Sequence, residues 1–337
     1  MRSVSHPNCV VCGRRGKPLY EDLDDRIFSA PGKWTLVSCE DAACGTLWLD
    51  PAPHPADLGA AYEGYFTHGI EGTPRLSSLK RAYIQVTHAP YLGATVWDRI
   101  RAFLFALRFR RKLEADDQVC HLDIHSPGMK VLDLGCGDGR TLWSLRQFGC
   151  DAIGVDFDGE AVATARARGL DVRTGSLEDQ GFADATFDAV VLSHVIEHVP
   201  DPEGVLREIH RILKPGGQIR MLTPNAAAWG HGHFGRDWMA LDPPRHLNIF
   251  TPRGLARLME KAGFARAHAG TTVSGADRIA IMSMNIGENG RARIAEKPAR
   301  GRKRLGRWFL YREAFLNRGD RGLGSQIVAK GAKSRQA

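Results

Sequence analysis

Lys130-Val131-Leu132-Asp133-Leu134-Gly135-Cys136-Gly137-Asp138-Gly139 decides the fold of this chain. A short apolar run, ending in an aspartate-leucine pair and opening into three glycines at alternate positions, reads as a buried strand turning sharply into a helix. The helix follows over Arg140–Phe148, and the alternation continues with strand Ala152–Asp156, helix Glu160–Arg168 and strand Val172–Thr174. Further on come strand Phe187–Ser193, helix Glu203–Leu213 and, after the turn Lys214-Pro215-Gly216-Gly217, strand Gln218–Thr223. Thr251–Ala262 is another helix, with Thr251 as N-cap and Gly263 just past its end. Strands alternating with helices predict an α/β fold with a doubly wound, mostly parallel sheet.

The rest of the composition suits such a core. Of 337 residues, 43% are hydrophobic and 25% charged, which excludes a disordered, collagenous or coiled-coil chain. The net charge of +8, from 46 Lys+Arg against 38 Asp+Glu, raises anionic partners without naming one. The apolar stretch Ala102–Leu107 is far short of the ~20 residues of a membrane span. Met1–Cys12 carries no apolar leader-like core, so the expected location is the cytoplasm.

Seven cysteines, an odd number, argue against a fully paired disulfide framework. Four stand ahead of the α/β region, as Cys9-x2-Cys12 and Cys39-x4-Cys44, and each pair ends in Cys-Gly. Thiolates presented from two tight turns suit a tetrahedral, structural zinc site; His6 or His54 could replace one ligand. Strands over Lys17–Phe28 and Lys33–Ser38 would join the loops, making residues 1–50 a zinc-ribbon-like module. The bland alternative is two cysteine pairs buried as small hydrophobes. Cys120, Cys136 and Cys150 are scattered and are assigned no metal.

Residues 51–128 read as a helical linker or cap. Pro51-Ala52-Pro53-His54-Pro55 is a rigid spacer, followed by the aromatics Tyr62, Tyr65 and Phe66, and Leu79–Leu113 is largely helical. Trp97, Ile100, Leu104 and Leu107 recur at helical spacing among several arginines. The favoured reading packs that apolar face on the α/β domain; the alternative lays it on an anionic membrane surface. Residues 129–337 form the main domain, with a basic insertion over about 274–321 before a final strand near Gly324–Lys330. Arg291–Arg307 and the following Trp308-Phe309-Leu310-Tyr311 read as a solvated, partly disordered loop or as a contact for anionic lipid, a glycolipid phosphate or RNA.

Four segments carry a family resemblance. Val131–Gly139 closely resembles motif I of class I S-adenosylmethionine (SAM) methyltransferases. Gly154-Val155-Asp156-Phe157-Asp158 is similar to their second-strand acidic motif. Phe187–Val190, leading to His194-Val195-Ile196-Glu197-His198-Val199-Pro200-Asp201-Pro202, resembles their fourth strand and its loop, and Arg211–Gly217 their turn before strand five. The first 50 residues resemble zinc modules attached to some small-molecule and sugar methyltransferases. The resemblance implies a seven-stranded Rossmann-like sheet and SAM as cofactor. It implies cofactor contacts from Asp133 to the ammonium group, from Gly135, Cys136, Gly137 and Gly139 along the backbone, and from Asp156 to both ribose hydroxyls. Phe157 would pack on adenine, Leu177 and Glu178 would reach its edge, and Ser193 and His194 would close the site.

Methyl transfer from a sulfonium needs an aligned acceptor, and an oxygen acceptor also needs its proton removed, for which histidine is best matched. His198 and His246 are the candidate catalytic residues. Arg245 could hold an acceptor phosphate or carboxylate, and Trp229, Phe234 and Trp238 could stack on a ring. Glu197-His198 looks like part of the metal-associated patch of ubiquinone-pathway O-methyltransferases, but Ser193 and His194 replace the neighbouring acids, so no catalytic metal is expected. The expected acceptor is a small molecule, a hydroxyl or carbon of a sugar, glycan-linked compound or related metabolite. RNA methylation is the alternative; the Asp-Pro-Pro at Asp242 lies far beyond strand four and precedes an arginine, which sets RNA behind. A non-enzymatic SAM-binding protein is the third reading.

Overall fold

The computed structural model describes residues 1–62, 76–294 and 296–335, so Tyr65 and Phe66 lie outside the described residues. The chain opens with β1 (Ser3–Val4), β2 (Gly16–Leu23), β3 (Trp34–Cys39), β4 (Leu47–Leu49) and β5 (Ala52–Pro53). Three helices follow: α1 (Ser78–His88), α2 (Val96–Ala106) and α3 (Phe109–Gln118). The alternating region comprises β6 (Lys130–Leu134), α4 (Arg140–Gln147), β7 (Asp151–Asp156), α5 (Gly159–Ala167), β8 (Val172–Thr174), β9 (Phe187–Ser193), α6 (Pro202–Ile212) and β10 (Leu213–Pro224). The chain ends with α7 (Trp229–Phe234), β11 (Asn248–Ile249), α8 (Pro252–Lys261), β12 (Ala265–Thr272), α9 (Ala276–Asn289), α10 (Arg300–Leu316) and β13 (Gln326–Ala332).

Seven strands form one mixed sheet in the order β12-β13-β10-β9-β6-β7-β8, in which β13 runs antiparallel to both its neighbours and the other pairings are parallel. Val131 and Leu132 of β6 and Val190, Val191 and Leu192 of β9 are buried, as expected of central strands covered on both faces. The covering helices are amphipathic for a simple reason. In α6, Leu206, Ile209 and Ile212 share one stripe, and Asp201 caps the helix by accepting from the Gly204 amide. The chain runs outward from β6 to β8, then crosses back to β9, so the carboxyl ends of β6 and β9 flank the crevice where such sheets bind ligands.

The N-terminal strands make a second sheet, β11-β4-β3-β2, whose last strand comes from Asn248–Ile249, some two hundred residues later in the chain. Leu36, Leu47 and Leu49 pack with Trp238, Leu247 and Ile249, while Cys9, Cys39, Cys44 and Trp48 share a core with Leu255 and Leu258 of α8. Gly254 has no room for a side chain, since a Cβ there would lie 2.7 Å from the Thr46 hydroxyl.

Three expectations change. The helical stretch Leu79–Leu113 is broken, because Pro90 and the left-handed Gly93 (φ 70°) interrupt it after α1 and a non-helical Arg108 separates α2 from α3. The apolar face of α2 does not pack on the α/β domain: Trp97 is 68% and Leu107 66% exposed, while Ala102 and Phe105 turn inward. The basic segment 274–321 is mostly the helices α9 and α10 rather than a solvated loop. They approach closely at Gly306, where a Cβ would come within 2.8 Å of the Asp277 carbonyl and Ile281. The edge strand β12 carried no sequence signal, because a half-covered strand of alanines, arginine, histidine and threonines lacks an apolar run.

Candidate functional site

The site grows from the two strand ends at the crevice. Leaving β6, the chain turns through Gly135 (φ 70°), Gly137 (φ 52°) and Gly139 (φ 81°), left-handed conformations that a side chain would strain. A Cβ on Gly135 would lie 2.3 Å from Val195 and one on Gly139 would lie 2.4 Å from Leu170, so the loop is pressed against its neighbours. Gly137 faces open space, as backbone that a ligand can approach should. Asp156, at the end of β7, ties this turn in place: its Oδ2 accepts the Gly137 amide at 2.7 Å and its Oδ1 accepts the Asp158 amide at 2.9 Å. Each oxygen keeps a lone pair for a further donor, the arrangement that two ribose hydroxyls require.

Asp133 differs from Asp156 in being supported on one side only, by the Leu142 backbone. It is 1% exposed, and its buried Oδ2 has no hydrogen-bond partner among the described residues. Burial, and then the nearby Asp156 charge, push its pKa up to about 8. A buried carboxyl lacking a cation is costly to keep charged, and a ligand ammonium would supply the missing partner. The orphaned oxygen, the open glycine and the anchored Asp156 therefore fit SAM. Cys136 is buried with its sulfur against Gly154, where a Cβ would meet it at 2.6 Å. Phe157 is 62% exposed at the rim, Leu177 is buried, and Glu178 is exposed at the start of a short 3-10 turn.

A second group assembles beyond β9. Glu197 is fully buried; its Oε1 accepts from His194 Nδ1 at 3.2 Å and its Oε2 accepts the Thr223 hydroxyl at 2.9 Å. Burial opposes its charge, but the hydrogen bond from His194 and the charges of His198, His194 and His246 win and hold its pKa down to about 2. Ser193 lies half-buried at the strand's end, and His194 stands partly open to solvent. For His194, burial works against protonation, yet the hydrogen bond and charge of Glu197 raise its pKa.

His198 donates Nδ1–H to the Arg245 carbonyl at 3.0 Å, which leaves Nε2 as the lone-pair nitrogen. His246 donates Nδ1–H to the Ala240 carbonyl at 2.8 Å with the same consequence, and the two rings meet edge to face with centroids 4.8 Å apart. Burial, and then the neighbouring His246, lower the His198 pKa to about 4, so it is neutral near pH 7. Glu197, His198 and His246 each offer one donor atom, all within 4.8 Å of one another.

Two residues expected to face an acceptor do not. Arg245 has no exposed surface; it is bound to Asp25 at 2.8 Å, to Asp242 and to the Ala61 carbonyl, and lies over the Phe28 ring. Trp238 is 1% exposed and stacks on His231. Trp229 and Phe234 are half-buried around Phe309 of α10. In their place stands Tyr62, whose ring meets Phe157 at 5.2 Å and whose hydroxyl is 3.1 Å from His198 Nδ1. Tyr62 therefore links Phe157 to His198, a role that nothing in its sequence neighbourhood signalled. Asp25 carried no signal at all. The N-terminal sheet reaches the site a second way: Leu247 carries its amide to the Glu197 carbonyl at 2.8 Å and its own carbonyl to the Leu49 amide at 3.1 Å.

Beside that sheet, Cys9 and Cys44 sulfurs are 3.7 Å apart and those of Cys12 and Cys39 are 3.4 Å apart, with all four within 4.8 Å. Zinc–sulfur bonds of about 2.3 Å at tetrahedral angles separate sulfurs by about 3.8 Å, so the quartet fits one zinc ion. Hydrogen bonds to Cys44, first from Cys9 and then from Thr46, outweigh burial and lower its pKa to about 5.

A family model described as a methyltransferase domain matches residues 96–269. A ubiquinone biosynthesis O-methyltransferase of Xanthomonas oryzae pv. oryzae (strain PXO99A) is 37% identical over 148 residues, covering 40% of this chain and 62% of that protein. A probable S-adenosylmethionine-dependent methyltransferase of Mycolicibacterium smegmatis is 34% identical over 158 residues, covering 46% of this chain and 58% of its own length. The chain thus spans about three fifths of the curated relatives it matches. Among solved structures, a SAM-dependent methyltransferase of Thermotoga maritima, described as a possible histamine N-methyltransferase, is similar with a TM-score of 0.45 and 22% identity, covering 76% of this chain and all of that one.

Proposed function

Because the chain belongs to the methyltransferase-domain family, we propose that it is a SAM-dependent methyltransferase that methylates a hydroxyl of a small-molecule acceptor. The observation that carries the reading is the pairing of an orphaned buried carboxylate, Asp133, with a neutral, oriented imidazole, His198, across one strand-end crevice. Bound SAM supplies a methyl group already activated on a sulfonium. Asp133 holds the ammonium, Asp156 the ribose hydroxyls, and the Gly135–Gly139 turn lets backbone approach the ligand. Cys136, Leu177, Glu178 and Phe157 would hold the adenine, and Ser193 and His194 would close the cofactor side.

His198 Nε2 accepts the acceptor's hydroxyl proton as the oxygen attacks. The buried His246 orients that ring and Tyr62 shuts the gap toward the cofactor. Of the two candidate histidines, His246 is the buried one, with 8% exposure, and serves as the orienting partner. The relatives named as O-methyltransferases support oxygen over carbon. A sugar or glycan-linked acceptor remains within the proposal, although Arg245 is not available to hold its phosphate. A structural zinc on Cys9, Cys12, Cys39 and Cys44 would fix the module that carries Asp25 to the site, and metal analysis should find one zinc per chain. The convergence of Glu197, His198 and His246 favours a second reading, a divalent cation shared by the three that orients and acidifies the acceptor oxygen.

The test is transfer of labelled methyl from SAM across nucleotide sugars, lipid-linked glycans, quinone precursors and RNA. Label on a hydroxyl, insensitive to chelator, is the expected result. Chelator-sensitive transfer restored by a divalent ion would replace the general base with the cation. Transfer to RNA alone, falling as salt is raised, or to no acceptor at all, would overturn the proposal.

A further inference from the structure

The outward face of α2 has no partner in the fold. Trp97, Ile100, Phe103, Leu104 and Leu107 form an exposed stripe, 42–68% open, although large apolar side chains usually seek cover. α10 repeats the pattern. Leu305, Trp308, Tyr311 and Phe315 recur along one side of the helix, each about half exposed, while Phe309 and Leu310 turn into the protein. Phe109, at the start of α3 and two residues past the first stripe, stacks on Tyr311 of the second with ring centroids 6.0 Å apart.

Both stripes are edged with cations. Arg99 and Arg108 flank the first, and Arg304, Arg307 and Arg312 the second, and none of these pairs with a carboxylate among the described residues. That charge selects the occupant. A second copy docked stripe to stripe would set unpaired arginines against arginines, a like-charge contact that opposes association. A bilayer with anionic headgroups offers phosphates to the guanidinium groups and an apolar boundary to the rings at the same depth. No helix among the described residues is long and apolar enough to cross a membrane, so the helices would lie in the interface plane. We propose that α2 and α10 form one basic, aromatic surface that docks this protein on anionic lipid bilayers. The proposal does not depend on the methyl acceptor.

The test uses the full chain and vesicles of phosphatidylcholine, with and without phosphatidylglycerol. The protein should pellet with the anionic vesicles, release as salt is raised, and show a blue shift of tryptophan emission on binding. Arg304→Glu with Arg307→Glu should cut partitioning by roughly tenfold or more. Trp97→Ser with Trp308→Ser should do the same and abolish the blue shift, while SAM binding stays unchanged and reports an intact fold. Equal pelleting with neutral vesicles, or none with anionic ones, would overturn the proposal. So would a stable dimer in lipid-free buffer that Trp97→Ser dissociates, since the stripe would then belong to a second copy.

Discussion

In the proposed site, the cofactor half draws Asp133, the glycine turn and Asp156 from one continuous strand-turn-helix-strand stretch, with Asp156 accepting the Gly137 and Asp158 amides. The acceptor half is gathered from four separate places. Asp25 comes from the N-terminal module, Tyr62 from the linker, Glu197-His198 from the loop after β9, and Asp242–His246 from a loop beyond α7. A site built from local backbone geometry tolerates variation elsewhere in the chain. A site assembled through tertiary contacts inherits the stability of every element that delivers a residue to it. The two halves should therefore fail separately, and differently.

The sharpest separation comes from His198. His198→Ala should lower kcat by about 10²–10⁴-fold while SAM affinity stays nearly constant, as kinetics on the identified acceptor with parallel SAM titrations will show. Loss of both together would erase the division between the halves.

Asp25 probes the acceptor half from a distance. Asp25→Ala strands the buried Arg245 with one carboxylate fewer, which should cost about 3–5 kcal/mol of stability in denaturant unfolding. Through the Arg245 carbonyl that orients His198, it should also impair turnover below the unfolding range and leave SAM binding intact. Wild-type turnover in the folded variant would show that the module does not position the base.

The converse experiment is Asp156→Ala, which should weaken SAM binding by roughly 1.5–3 kcal/mol through loss of charge-assisted hydrogen bonds. Unchanged binding by calorimetry would remove Asp156 from the site.

The smallest effect is on the ligand-free protein. The Asp133 pKa rises from 3.8 to about 8 in the fold, so the folded chain keeps a proton that the unfolded chain releases. The stability this provides is full below about pH 4 and is lost as pH climbs toward 8. Asp133→Asn cannot ionise and should flatten that loss, raising Tm at pH 8 by a few degrees while weakening SAM binding. A variant less stable than wild type at pH 8 would mean that Asp133 is already paired.

What the sequence disclosed follows the same division. Strands Lys130–Leu134 and Phe187–Ser193 end where apolar runs meet glycine or polar residues, a signal carried within a few residues. Glu197 was visible as a neighbour of His198, but its bond to Thr223 depends on β10 lying beside β9. Arg245 and Trp238 stood at plausible positions in sequence, and only packing against Asp25 and His231 showed them to be interior. The α2 stripe is the plainest case. Helical periodicity reveals an apolar face and is silent on whether it meets a protein core or something else.

Titration of SAM into the full chain at pH 7, by calorimetry in two buffers of different ionisation enthalpy, reads the pairing of Asp133 with the ligand ammonium itself. Asp133 should enter the reaction protonated and leave it paired with the ligand ammonium. One-to-one binding in the micromolar range should release up to about one proton, a release that Asp133→Asn abolishes. No binding, or binding whose heat is the same in both buffers, would contradict it.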